Sequence, residues 1–197
     1  VRGTYSTGFR APTPAQLNAV NTTQGLDTTT MQIFNTGRLS PSDPIAVALG
    51  AKPLTPEKSR TITAGLTVQP GFGLTGSIDL YQISLRDRFG QSRTFTVPAD
   101  LPNPQRFTAV TYFTNDFSTR TRGIDVVLAY TSQMGPGTLD LSLAYNYNKT
   151  KVTSGTSAAI GNQTQRIIFE DRLPRHNGTG SIGYTFGGVG VQARARY

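Results

Sequence analysis

The feature that most constrains this chain is a strict alternation of apolar and polar residues, sustained over long stretches. Within residues 60–68, Ile62, Ala64, Leu66 and Val68 share one phase, and Thr61, Thr63, Gly65 and Thr67 share the other. Residues 123–131 set Ile124, Val126, Leu128 and Tyr130 against Gly123, Asp125, Val127, Ala129 and Thr131. In residues 138–148, Leu139, Leu141, Leu143, Tyr145 and Tyr147 oppose Thr138, Asp140, Ser142, Ala144, Asn146 and Asn148. Ile182, Tyr184 and Phe186 continue the pattern, followed by Val189, Val191, Ala193, Ala195 and Tyr197 opposite Gln192, Arg194 and Arg196. A period of two places successive side chains on opposite faces of a strand, so each run reads as a strand with one apolar face. The runs reach about 9 to 13 residues, long for a globular strand and right for a tilted strand that crosses a bilayer.

The connections alternate as well. Gly/Pro-rich turns near Pro70-Gly71-Phe72-Gly73, Met134-Gly135-Pro136-Gly137 and Gly187-Gly188-Val189-Gly190 separate some runs, while long links at 11–54, 89–107 and 152–172 separate the others. Short turn followed by long loop is the rhythm of an outer-membrane barrel. Inside the first long link, Asp43 as N-cap, Pro44 at the first helical position and Gly50 past the end predict a short helix over 44–49. Thr13-Pro14 predicts another helical turn through Leu17. Tyr5, Phe9, Phe72, Tyr145, Tyr147, Tyr184, Phe186 and Tyr197 stand near strand ends, where aromatic girdles would lie. Residues 74–88 fit less well: Leu74, Ile78 and Leu80 share a phase, but Ile83 and Leu85 take the other. Either a bulge near Tyr81 or a distal strand rising above the bilayer accounts for this.

Composition agrees with a one-sided apolar surface. Only 36% of residues are hydrophobic and 15% charged, both below the globular average, and Thr, Gly, Ser, Asn and Gln fill the difference. There is no cysteine and one histidine, which removes disulfide scaffolds and cysteine-ligated metals. No apolar run approaches the roughly 18 residues of a membrane helix. The formal charge is +8, from 19 Lys and Arg against 11 acids. Arg2, Arg10, Arg38, Arg60, Arg88, Arg120, Arg172 and Arg194 are scattered without a basic run, which argues against nucleic acid as a partner. They are expected on a polar sheet face, partly paired with Asp79, Asp87, Asp125 and Asp171.

Catalytic chemistry is not expected. A Ser–His–Asp triad would have to use His176 with Asp171 and Ser181, and no nucleophile elbow accompanies them. Glu170-Asp171 is the one adjacent acid pair and reads as loop solvation. No metal or cofactor spacing is present. A β-sandwich that binds carbohydrate also has alternating strands, but favours shorter strands and a bulkier interior.

Several motifs, in order along the chain, resemble the barrel region of TonB-dependent outer-membrane receptors. They are Gly8, Phe9, Arg10, Ala11 and Pro12; Leu54, Pro56, Glu57, Lys58, Ser59 and Gly65; Asp79, Tyr81, Ile83, Asp87 and Arg88; Asn115 with Thr121, Arg122, Gly123, Ile124 and Asp125; and Pro174, Arg175, His176 and Asn177. The resemblance implies an all-β, antiparallel up-and-down transmembrane barrel in the outer membrane of a Gram-negative bacterium. It implies strands over 1–10, 55–69, 74–88, 108–133, 138–151, 174–186 and 189–197, seven of a 22-stranded wall. Nothing in the 197 residues resembles the family's plug domain or energy-coupling box, so a partial barrel with an open sheet is expected. By the same resemblance, the chain is no enzyme and needs no cofactor. Its partners would be outer-membrane lipid and lipopolysaccharide, the receptor's own plug, a TonB-type energy-coupling protein and a small-molecule ligand. The ligand would be a scarce nutrient, a siderophore-type iron chelate foremost, held by loop cations among Arg38, Lys52, Arg93, Arg106, Arg166 and Arg172. Thr63, Asp79, Asp125, Asp140, Asn146 and Arg194 would line the lumen and dock the plug. A passive porin or adhesin-like surface barrel is the alternative.

Overall fold

The structure, a computed structural model, describes residues 1–18, 20–29, 31–155 and 163–197. Seven strands form the frame: β1 (Arg2–Arg10), β4 (Glu57–Gly71), β5 (Leu74–Gln91), β7 (Phe107–Met134), β8 (Gly137–Gly155), β9 (His176–Phe186) and β10 (Val189–Arg196). They lie side by side in that order, each antiparallel to its neighbours. This is the meander that consecutive hairpins build. The sheet is open, with β1 at one edge and β10 at the other. Tight turns join β4 to β5, β7 to β8 and β9 to β10 at one end, and the long links all gather at the opposite end. The second layer that a sandwich requires is absent among the described residues, which sets the carbohydrate-binding alternative aside.

Register turns the sequence phases into two faces. Across β4, β5, β7 and β8, Ala64 meets Leu80, Leu80 meets Ile124 and Ile124 meets Tyr147. One row on, Leu66, Ile78, Val126 and Tyr145 line up in the same way. Many of these side chains are open: Leu66 is 47% exposed, Ile78 48%, Leu80 51% and Leu143 43%. The accessible surface totals 12952 Å². A compact monomer of the same 21.2 kDa mass would expose roughly 9,100 Å². The excess is what an uncovered sheet leaves. In the β8–β9 pair, Leu139 stands beside Tyr184 and Tyr147 beside His176, so a tyrosine lies toward each end of the apolar band. Roughly 26 Å of strand separates those levels at about 3.3 Å per residue, close to the height of a lipid-facing band. In detergent-free buffer the isolated chain is therefore expected to aggregate through this face and its strand edges, and to stay dispersed in micelles. Analytical ultracentrifugation checks this, and a monodisperse monomer without detergent would contradict it.

Among the described residues, the buried hydrophobic core lies at the long-link end. Leu39, Ile45, Ala46, Ala51, Phe107, Val110 and Tyr112 form one cluster, with Phe95 and Val97 packed against it. Phe117, Val152 and Phe169 form a second. The first long link is ordered by α1 (Pro14–Asn18), a hairpin of β2 (Asn21–Asp27) and β3 (Gln32–Leu39), and α2 (Pro44–Ala48). The second contributes β6 (Phe95–Thr96), and the third contributes α3 (Gln163–Asp171). β3 runs parallel to the distal part of β7. Both expected helical turns are present. Asp43 Oδ1 accepts from the Ile45 N–H at 2.8 Å, with Pro44 in the first turn. Thr13 and Gln16 cap each other: Gln16 Oε1 accepts from the Thr13 N–H at 2.9 Å, and Thr13 Oγ1 accepts from the Gln16 N–H at 3.3 Å.

Of the two readings of residues 74–88, the bulge near Tyr81 fails, and the expectation for the arginines needs correction. Register runs unbroken through Tyr81, and the irregularity falls between Leu85 and Arg88, where Asp87 has φ 54°. Ile83 and Leu85 therefore stay on the polar-phase face, in the half of β5 nearer the long links. The arginines also divide between faces. Arg2, Arg10 and Arg194 share the polar phase, but Arg60 and Arg120 lie in the apolar phase, beyond the band.

Candidate functional site

The polar-phase face is a cross-strand network built largely from the motif residues. Arg2 donates from Nε to Asp79 Oδ1 at 2.9 Å and pairs with the same carboxylate through Nη2. Gly65 sits between them in register, and a Cβ there would lie 2.0 Å from Asp79 Oδ1. The missing side chain lets the ion pair span a strand. Asp79 also faces Asp125, a like-charge pair that costs stability unless each acid has its own partner. Asn146 supplies the second partner, donating from Nδ2 to Asp125 Oδ1 at 2.5 Å and to the Tyr81 hydroxyl at 3.2 Å. The Tyr81 ring lies over Gly123, where a Cβ would meet it at 2.3 Å. Further hydrogen bonds join Thr121 to Thr150 at 2.8 Å, Thr131 to Asp140 at 2.7 Å and Ser142 to Ser181 at 2.7 Å. Thr63 bonds to Thr4 on the same face. The six expected lumen residues thus share one wall.

Nearer the long links, other motif residues clasp strand ends. Arg10 Nη2 donates to Glu57 Oε2 at 3.0 Å, and the Phe89 N–H reaches the same oxygen at 3.4 Å. Asn115 Nδ2 donates to the Thr55 carbonyl at 2.6 Å, beside Pro56, and ties β7 to the approach into β4. Arg88 donates to Thr119 Oγ1 at 3.2 Å, and its guanidinium covers the rings of Phe117 and Phe169 at 5.6 and 5.7 Å. Burial there lowers the Arg88 pKa, while the Glu57 carboxylate opposes the shift. Asn177 Nδ2 donates to the Pro174 carbonyl at 3.3 Å. Gly8 lies against Ser59, Phe9 is exposed in the apolar phase, and Pro12 is half-buried after β1.

The six loop cations fall into separate places. Arg38, on β3, lies over the Phe113 ring at 5.4 Å, and its Nε is buried without a hydrogen-bond partner. It lines a cavity of about 250 Å³ with Asn21, Thr36, Thr94 and Thr111. Arg93 stacks on Phe95 at 4.4 Å, and that strand pairs with the same stretch of β7 as β3 does. Lys52 is exposed after α2, and Arg106 is exposed at φ 53° before β7. Arg166 projects from α3 and donates to the Val152 carbonyl at 3.4 Å, and Arg172 follows that helix in the open. Part of the third long link, 156–162, lies outside the described residues.

The sequence reading missed Tyr112 and α3. Tyr112 donates to the Leu49 carbonyl at 2.9 Å and stacks on Phe95. Burial and the Asp116 carboxylate push its phenol above the ordinary range, against a smaller pull from Arg93. Glu170 Oε1 accepts from the Val152 N–H at 2.9 Å, and Asp171 pairs with Arg175. Glu170 is therefore tied to the β8 backbone, while Asp171 stays exposed in the kind of arginine pair expected of it. Phe117, with Phe169 tilted against it at 4.9 Å, anchors this corner. Replacing it, Phe117→Ala, is expected to destabilise the α3 corner by about 3–5 kcal/mol. Hydrogen exchange should show lost protection in α3 and distal β8, with the turn-side strands unchanged.

No triad forms. His176 Nδ1 bonds to the Tyr145 hydroxyl at 2.7 Å, Asp171 is held by Arg175, and Ser181 is held by Ser142. No metal-binding cluster occurs among the described residues.

One open antiparallel sheet, with an uncovered apolar face carrying a tyrosine toward each end and a hydrogen-bonded polar face, is the wall of an outer-membrane β-barrel. The family model for the TonB dependent receptor-like β-barrel matches residues 1–197, and the chain belongs to that family. It is a family of Gram-negative outer-membrane transport receptors, not of enzymes. Among solved structures, the chain is similar to the FrpB iron transporter from Neisseria meningitidis (F3-3 variant), at 14% identity and a TM-score of 0.47. The similarity covers 73% of this chain and 19% of that one, so the chain spans about a fifth of that transporter's length. No curated protein matches the sequence.

Proposed function

We propose that this chain forms part of the wall of an outer-membrane receptor that imports a scarce nutrient, with a siderophore-type ferric chelate as cargo. Energy would come from a TonB-type coupling protein acting on the receptor's plug. The observation that carries this reading is a polar wall of linked side chains within a chain of the TonB-dependent receptor family. Thr63, Asp79, Asp125, Asp140, Asn146 and Arg194 would dock the plug through exchangeable hydrogen bonds. Links 11–54, 89–107 and 152–172 would face outward and capture ligand. Ferric chelates are often anionic, and Arg38 with Arg93 near β7 supplies the charge-assisted donors that hold such groups. Lys52, Arg106, Arg166 and Arg172 would raise the local anion concentration.

Uptake of radiolabelled ferric chelates by an iron-limited strain lacking the receptor gene tests the proposal. Loss of uptake of one chelate, restored by the wild-type gene only when the coupling protein is intact, is the expected result. Unchanged uptake across the chelates tried would contradict the cargo assignment.

A further inference from the structure

The polar phase can be followed row by row along β7 toward the long links. Asp125, Gly123, Thr121 and Thr119 take it in turn, and they meet Asn146, Asn148, Thr150 and Val152 on β8. On β5 the same rows hold Asp79, Tyr81, Ile83 and Leu85, and the next holds Arg88 beside Phe117. The wet side of the wall thus turns apolar at Ile83, Leu85, Phe117 and Val152. Apolar surface turned to water favours a cover. Phe117 is 1% exposed and Val152 7%, with Phe169 of α3 packed against them. Arg120 and Arg122, in the opposite phase at the same level, are exposed. The cover therefore comes from the polar-phase side, and it is α3.

Contacts from three strands fix the helix there. Phe169 reaches over β8 to the Phe117 ring on β7, at 4.9 Å, and the Arg88 guanidinium of β5 covers both rings. The pairing of β8 with β9 ends at Tyr147, so distal β8 presents a backbone edge. Glu170 and Arg166 take that edge, at the Val152 N–H and the Val152 carbonyl. Residues 166, 169 and 170 make one helical face by their i, i+3, i+4 spacing. The other face carries Ile167 and Ile168, 50% and 51% exposed, turned away from the wall. Val152 stands roughly 16 Å outward of Tyr147 at about 3.3 Å per residue, which puts α3 in the mouth of a barrel and above the bilayer. We propose that α3 is a constriction folded into the barrel mouth, setting an upper size on what enters the lumen. Arg88 is its positioning residue, because one guanidinium holds a ring of the wall and a ring of the helix. This part of the third long link then serves passage and not capture. The inference rests on the polar phase being the lumen side, and failure of that reading would show separately, as lipid exposure of the Asp140 phase on β8.

Thiol labelling of the full-length receptor on intact cells tests it, in a background without other reactive cysteines. Ile83→Cys lies on the inner face, in the Thr121 row, inward of the rows that α3 covers. A small charged methanethiosulfonate should label it, and a bulky polymer-linked maleimide should be excluded. Phe169→Ala and, separately, Arg88→Gln should speed the bulky probe at least about tenfold and leave the small probe unchanged. Arg88→Lys, which keeps a cation over the two rings, should preserve the exclusion. Bulky-probe labelling of the receptor with α3 intact at the rate of those variants would overturn the proposal, as would exclusion that persists in both. Closure of the site to both probes would overturn it too, because something other than α3 would then set the limit. Placement has a second readout that does not depend on loosening the helix. Under mild oxidation Phe169→Cys should form a disulfide with Phe117→Cys and not with Ser118→Cys, the next residue in the opposite phase. A disulfide to position 118 instead would put α3 outside the wall and overturn the constriction with it.

Discussion

An arginine at Leu128 is expected to cost the membrane-embedded barrel about 2–4 kcal/mol, while an arginine at the next residue, Ala129, costs less than about 1 kcal/mol. The two positions differ by one step along β7 and are both exposed in the isolated sheet. Their surroundings differ in kind. Leu128 stands in the apolar phase between Gly76 on β5 and Leu143 on β8, in the middle of the band. Ala129 stands in the polar phase between Thr75 and Ser142. A charge on the lipid side must be dehydrated or must draw water into the bilayer, whereas on the lumen side it keeps its hydration. Urea titration of Leu128→Arg and Ala129→Arg receptors in phospholipid vesicles measures the difference. Equal losses at the two sites would be incompatible with a two-faced wall.

Gly123→Val is expected to destabilise the barrel by about 1–3 kcal/mol through overpacking, against the direction that strand propensity alone gives. Valine is favoured in strands over glycine, by an amount within the roughly 1 kcal/mol span of that scale. The steric term outweighs it. A Cβ at 123 would lie 2.3 Å from the Tyr81 ring and 2.6 Å from the Tyr147 carbonyl oxygen, and the second contact is backbone that cannot swing aside. Displacing Tyr81 also breaks its bond with Asn146, which in turn holds Asp125. Combining Gly123→Val with Tyr81→Ala should therefore cost less than the sum of the single changes, because they share one clash. Denaturation midpoints of the two singles and the double give the coupling energy. Strict additivity would place the Tyr81 ring somewhere other than over Gly123.

What the sequence discloses depends on how local the deciding interaction is. The seven frame strands were legible to within a few residues, because alternation and tight turns act between near neighbours. The two short helices were legible for the same reason, since Asp43, Pro44 and Thr13 cap within one turn. The β2–β3 hairpin was not. Residues 21–27 carry only Leu26 as a large apolar side chain, and the strand order depends on a parallel pairing of β3 with residues about 70 positions later. Helix α3 was hidden because Ile167, Ile168 and Phe169 are consecutive and make no helical stripe. Phe117 and the Val152 backbone, both distant in sequence, hold it in place. The phase change at Ile83 and Leu85 left two readings open, a bulge near Tyr81 or a strand rising past the bilayer, and the strand keeps its register at Tyr81 and gives way only at Asp87. The apolar residues simply stop marking the lipid side once β5 has passed the band. The motif residues Arg10, Glu57, Asp79, Tyr81, Gly123 and Asp125 were legible as a set, but their mutual contacts across strands were not.

The central claim is that one phase of these strands meets lipid and the other meets the aqueous interior. A nitroxide scan of β8 in the bilayer-reconstituted receptor tests it most directly. The 197 residues contain no cysteine, so a cysteine introduced into them is unique within this stretch. Labels at Leu139, Leu141 and Leu143 should show high oxygen and low nickel-chelate accessibility, and labels at Asp140, Ser142 and Ala144 the reverse, giving a period of two along the strand. Equal nickel accessibility in both phases, or lipid exposure of the Asp140 phase, would contradict the account.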